Sequence, residues 1–198
     1  MHETAFIAPT AVICGDVTIG ANSHVSFGAV VTAAGGPVTV GANCVVMENA
    51  VLRGTPGHTL AIGDDVLVGP HAHLSGCTVE DEGFLATGCA VFTGARVGRG
   101  AEVRINGVVH LNTSLPGRET VPIGWVAVGD PCRILPPDGH EEIWKLQEPL
   151  NFPKTVFGID RPPPGETIMP EAMPRYAASL NRNHRDDRES ETGGERAR

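Results

Sequence analysis

The apolar positions of this chain recur every six residues, not every second residue and not at helical steps. Aliphatic residues stand at Ile19, Val25 and Val31, at Val40, Val46 and Leu52, at Ile62, Val68 and Leu74, and again at Val79, Leu85, Val91, Val97 and Val103. Each opens a unit whose second to fourth places are rich in Gly, Asn and Asp and whose fifth place is usually small. A helix needs apolar residues at three- and four-residue steps and would be weakened by so many Gly, Val, Thr and Asn, while a hairpin sheet would alternate throughout. Short strands joined by sharp turns satisfy the pattern, with the leading aliphatic pointing inward. This is the hexapeptide signature of a parallel β-helix, an all-β solenoid in which three strands make one triangular coil of about eighteen residues. Residues one coil apart then stack into ladders.

The ladders can be read off. Leu52, Leu74, Val91 and Val109 form one inward column, and Val46, Val68, Leu85 and Val103 a second. Arg53, Ser75, Phe92 and His110, each one residue later than the first column, stack on an outer face. Residues 54–61 (GTPGHTLA) break the period and are expected to bulge as a loop between coils. After the coils, Asp138 and Glu141 have capping-box spacing and predict a helix over 139–148, with Ile143, Trp144 and Leu146 docking on the solenoid. Residues 149–169 read as Pro-rich and extended, and Pro170 opens a second helix toward Leu180. The polar stretch from Asn181 onward reads as a disordered tail. The expected organisation is a solenoid domain at 1–135, an appendage at 136–180 that packs on it, and the tail at 181–198.

Composition narrows the class. Aromatic residues are 5% of the 198 and glycines number 25, so the core is built from aliphatic and small side chains. A net charge of −8 without a basic block argues against nucleic acid. No basic and apolar leader opens the chain and no apolar run is long enough to span a bilayer, so the expectation is a cytoplasmic protein without a membrane partner. Five cysteines without a Cys-x-x-Cys pair read as reduced thiols, with Cys44 and Cys89 at inward fifth places.

The stretch from "AFIAPTAVICGDVTIGANSHVSFGAVV" to "VGDPCRIL", roughly residues 5–135, resembles the γ-class carbonic anhydrase-like proteins of the hexapeptide-repeat superfamily. The resemblance implies a left-handed β-helix, a packed C-terminal α-helix, and a homotrimer. Active members hold zinc or iron between subunits through three histidines, leaving a coordination position for the hydroxide that attacks CO₂. Those ligand positions fall here on Arg53, Pro70 and Ser75; the family's Arg-Gly-Asp stretch falls on Thr32, Ala33 and Ala34, and its Gln-Asp pair on Met47 and Glu48. Proline has no lone pair to give, serine is a poor zinc ligand, and a guanidinium repels a dication and keeps its proton. Ordinary carbonic anhydrase activity at that site is therefore not expected.

Several readings remain open. His71 and His73, with His110 in the Arg53 column, offer a shifted metal site across a subunit interface, or else polar filling of that interface without a metal. Arg53 beside Ser75 suits a small carboxylate or phosphate, with His71 as a further binding group and Glu48 or His73 as a general base. An Arg53–Glu48 ion pair that simply ties subunits together is the competing structural account. Three functions compete: an enzyme acting on a small anionic metabolite in a subunit cleft, a CoA-dependent hexapeptide acyltransferase, and a non-catalytic trimeric scaffold whose residues 149–198 recruit a partner. The exit "GDPCR" at 129–133 is shared by the first two and does not separate them.

Overall fold

The computed structural model describes residues 1–33 and 35–183. The first compact unit, Met1–Leu146, is a left-handed parallel β-helix of about seven turns. Its strands are two or three residues long and fall into three sheets, one along each face of a triangular coil. Face A begins at Phe6–Ile7 and ends at Thr120–Val121, face B begins at Val12–Cys14, and face C runs from Val17–Ile19 to Ser114–Leu115.

All fourteen aliphatic residues that open the sixfold units are buried, none above 4% exposure. The two inward columns are in the register read from the sequence: Leu52, Leu74, Val91 and Val109 align on face B, and Val46, Val68, Leu85 and Val103 on face A. Corners are formed by residues in the left-handed region, where a glycine or a short polar side chain is tolerated. At the corner between faces A and B these are Gly28, Asn49, His71, Gly88, Asn106 and Gly124, all with φ between 55° and 71°. Just inside this corner sit Ala29, Ala50, Ala72 and Cys89, all at 0% exposure, because the acute turn admits only a small side chain. Burial pushes the Cys77 and Cys89 thiols up to about 12 and raises Cys44 as well, which makes all three inert core residues.

The period is not uniform. On face B, Val12 pairs with Val30 eighteen residues on, but Val30 with Val51 at twenty-one, Val51 with His73 at twenty-two, and His73 with Ala90 at seventeen. Every irregularity lies at the corner between faces B and C. Residues 33–37 carry three extra positions, residues 54–59 carry four, and the turn after Ser75 is one short. The expected loop at 54–61 is thus trimmed, since Leu60 and Ala61 belong to the strand Leu60–Ile62. A second insertion lies directly against it. Thr55 and His58 exchange backbone hydrogen bonds of 3.0 and 2.9 Å, folding the longer loop into a small hairpin. A Cβ on Gly54 would lie 1.9 Å from the carbonyl oxygen of Gly36, so the two loops meet backbone to backbone.

The outer faces differ. Face A presents Phe6, His24, Val45, Leu67, Phe84, Glu102 and Thr120 in one column, and face B presents Val12, Val30, Val51, His73, Ala90 and Val108. Face C presents Thr18, Thr39, Ala61, Thr78, Arg96 and Ser114. Face B is therefore mainly apolar, face A is apolar from Val45 to Phe84 and polar beyond it, and face C is polar.

Face B closes with an antiparallel strand, Arg133–Leu135, on Val126–Val128. Helix α1 (His140–Gln147) packs Ile143 onto Val128 and Leu135, with Leu146 alongside. Its acidic first turn and Lys145 near its end suit the helix dipole. Trp144 departs from expectation and remains 37% exposed.

The second compact unit begins at Gln147. Instead of an extended 149–169 segment its described residues form a 3-10 turn at Glu148–Leu150 and a short helix α2 (Phe152–Phe157). Helix α3 (Met169–Asn183) continues three residues past the expected boundary. Ile159, Ile168 and Ala172 form a small core, and Phe157 meets both Phe152 and Tyr176 edge to face. The rest of the predicted tail, 184–198, lies outside the described residues, as does Ala34. Among the described residues no helix is long and apolar enough to cross a membrane.

Gly54→Ala should lower the free energy of unfolding by about 1–3 kcal/mol, because the new methyl would part the two corner loops. Urea denaturation checks this, and an unchanged midpoint would mean that the loops are not held against one another.

Candidate functional site

The last residues of the face B strands stand side by side just before the irregular corner. Register places Cys14, Thr32, Arg53 and Ser75 in one column, and Phe92 and His110 continue it. Ser75 is 9% exposed, Arg53 is half-buried, and the Gly76 amide donates to the Arg53 carbonyl at 2.8 Å. The Thr32 and Thr55 hydroxyl oxygens are buried without a hydrogen-bond partner among the described residues. Thr55 hangs over the corner: a Cβ on Gly76 would meet its Oγ1 at 2.2 Å.

Charge at this column is not balanced. Arg96 pairs with Glu80, Arg99 with Asp81 and Glu82, and Arg133 with Glu142. Arg53 has no carboxylate within ion-pair distance among the described residues. Glu48, its partner in the account of an ion pair that ties subunits together, is exposed at the opposite end of the strand Val51–Arg53, at the corner between faces A and B. Within one chain the Arg53–Glu48 ion pair is not formed.

The histidines separate in the same way. His71 occupies the left-handed turn position with φ 57°, exposed, its amide donating to the Glu48 carbonyl at 3.0 Å. His73 is half-buried on the outer face of the strand His73–Ser75, and burial first and the Arg53 guanidinium second hold its imidazole below the ordinary value. Burial alone lowers His110, whose Nδ1 is enclosed without a partner. The Phe92 ring stands between the two, with centroids 6.5 Å from His73 and 6.2 Å from His110. One chain therefore brings together Arg53, Ser75 and His73, and leaves His71 and Glu48 at a different corner. Among the described residues no group of three or more His, Cys, Asp or Glu is placed to hold a metal ion.

Thr32 and Thr55 were absent from the sequence-based candidates. Thr32 follows inward Val31 as Arg53 follows Leu52, so extending the column by one coil would have found it. The three extra residues at 33–37 hid that phase.

The chain is 34% identical over 149 residues to γ carbonic anhydrase 1, mitochondrial, of Arabidopsis thaliana, a match over 72% of this chain and 52% of that protein. Over its solenoid the chain is a homologue of the γ carbonic anhydrases and shares their hexapeptide repeat. Arabidopsis γ carbonic anhydrase 2, mitochondrial, matches at 33% over 149 residues, covering 72% of this chain and 51% of that protein. The chain thus spans about half the length of these relatives. Among solved structures, a Bacillus cereus protein described as an acetyltransferase superposes with a TM-score of 0.53 at 23% identity, over 73% of this chain and 86% of that one, and shares the fold. No family model matches the chain.

The lowered imidazoles tie stability to pH. Unfolded, His73 and His110 titrate near 6.5; folded, they resist protonation, so below 6.5 the unfolded chain takes up protons first and stability falls. Urea unfolding should give a lower free energy at about pH 5.5 than at about pH 7.5, with a smaller difference in His73→Gln. An equal difference in the variant would show that His73 is not among the groups responsible.

Proposed function

We propose that the chain forms a γ-carbonic anhydrase-like homotrimer that binds a small anionic metabolite in a subunit-interface cleft, at Arg53, without a metal at the family's ligand positions. The observation that carries this reading is the half-buried Arg53, with no carboxylate partner among the described residues, in register with the Thr32 and Ser75 hydroxyls. A guanidinium fork beside two hydroxyls matches the geometry of a carboxylate, carbonate or phosphate. Arg53 supplies a fixed positive charge at a position where the family carries a metal ligand, and its charge, with Pro70 and Ser75 at the other two positions, disfavours a dication there. His73, held neutral beside it, is the nearest group able to accept a proton from a bound molecule.

Two different faces, the mainly apolar B and the Val45–Phe84 stretch of A, meeting at a corner that carries exposed Phe27, Ile105 and Ile123, support a closed ring in which one face of each copy meets the other face of the next. Glu48 and His71, on that same corner, belong to this reading only as residues contributed to a neighbouring copy's cleft. Acyl transfer from CoA is the second reading, and the neutral, half-buried His73 favours it because such a transfer needs a base. The shared solenoid fold does not separate the two.

Calorimetric titration of the trimer with acetate and with inorganic phosphate tests the proposal, alongside metal content by mass spectrometry. Arg53→Ala should weaken anion binding by about 1.5–3 kcal/mol, the range for a hydrogen bond to a charged group. One zinc or iron per protomer, or anion binding indifferent to Arg53, would overturn the reading. Saturable binding of CoA that competes with acetate would move the assignment to acyl transfer.

A further inference from the structure

The column that holds Arg53 does not end in polar groups. One coil beyond Ser75 it presents Phe92, and one coil further His110. Neighbouring strands lie about 4.8 Å apart, so the centre of the strand bearing Phe92 is about 9.6 Å along the axis from that of Arg53. Beside Ser75, His73 points outward from the same strand, and its ring is tilted 47° against Phe92; His110 is tilted 48° on the other side. Both centroid separations fall within the range of interacting aromatic rings. Three flat rings thus make a continuous strip that starts next to a guanidinium and a hydroxyl. Phe92 itself is half-buried on the outer surface of the solenoid.

From this order we infer that the anion is the carboxylate end of an arylalkanoate, whose ring lies on Phe92 between His73 and His110. The inference rests on the anion reading of Arg53 and adds the chemistry of the rest of the ligand. A carboxylate forked on Arg53 has to direct its carbon chain away from the guanidinium. On the other side of Arg53 the column offers the buried Thr32 hydroxyl and then Cys14, with no ring face. Toward Phe92 it offers an aromatic surface, and a spacer of about two methylenes spans the gap left by Ser75. A ring on that strip buries apolar area and gains the aromatic pairing geometry, while a bare carboxylate uses only the guanidinium end. His73 then lies alongside the spacer as a positioning residue, its neutral imidazole in contact with both halves of the ligand.

Titration calorimetry of the full chain with acetate and with 3-phenylpropionate separates the two levels. The aryl ligand should bind on the order of tenfold to a hundredfold tighter than acetate, from ring burial. Phe92→Leu, which keeps most of the apolar volume but no ring face, should bring that ratio down several-fold, with an unchanged thermal midpoint and an unchanged mass by light scattering. Equal affinities for the two ligands in the wild type, or an undiminished ratio in Phe92→Leu, would overturn the arylalkanoate assignment while leaving the anion site standing. A variant that changes the mass of the assembly but not the ratio would make Phe92 an interface residue and overturn it too. Loss of discrimination between wild type and Arg53→Ala with acetate strikes at the anion site itself.

Discussion

Each coil must return its chain to within one strand spacing of where it started, with the same side chains facing inward. That closure is the constraint on which the rest of the structure depends. Sheets two or three residues wide cannot stabilise a strand alone; they hold because every inward residue lies on its counterpart one coil away. Parallel pairing along faces A, B and C requires three acute corners per coil, and the corners require backbone that ordinary L residues adopt reluctantly. Hence the columns of Gly, Asn and Asp outside each corner and of Ala and Cys just inside one of them. His71 is explained by the same constraint: it fills a turn position that other coils give to Gly or Asn, and its exposure follows from that place.

Closure also decides where the molecule can vary. An insertion within a strand would rotate every later side chain off its ladder, whereas an insertion at a corner leaves register intact on both sides. The three departures from an eighteen-residue coil are confined to the corner between faces B and C, two as stacked loops and one as a shortened turn. This is why the irregular surface and the polar end of face B coincide. Thr55 is brought over Gly76 by the longer loop, and Arg53 stands at the foot of it. The regular part of the solenoid supplies rigidity, and the irregular corner supplies shape.

The fold was legible because the sixfold spacing of aliphatics is a direct imprint of closure. Each leading residue from Ile19 to Val103 is buried, and the two columns that the spacing implies are aligned in the structure. The site was legible in part. Arg53, Ser75 and His73 lie together because they share strands and register, which sequence spacing encodes. Glu48 and His71 do not join them within one chain, because both stand in the turn places of their sixfold units, at the corner before the face B strand and not at the one after it. Thr32 was missed because an insertion shifted its phase, and Trp144 was misplaced because one helix face was assigned three docking residues when Ile143 and Leu146 suffice. The prolines of 149–169 suggest an extended segment, yet Pro153 sits in the first turn of α2, where a missing amide hydrogen is harmless.

The antiparallel strand Arg133–Leu135 has an effect beyond its contact with α1. A stack of parallel coils is open-ended: the final turn offers the same hydrogen-bonding edge as every turn before it, and another chain can continue the pile. On face B the chain reverses and lays its own strand across that edge, with Ile143 of α1 buried against it. The reversal is thus a stopper against fibre growth, and it lets a fold built by repetition remain a molecule of finite length.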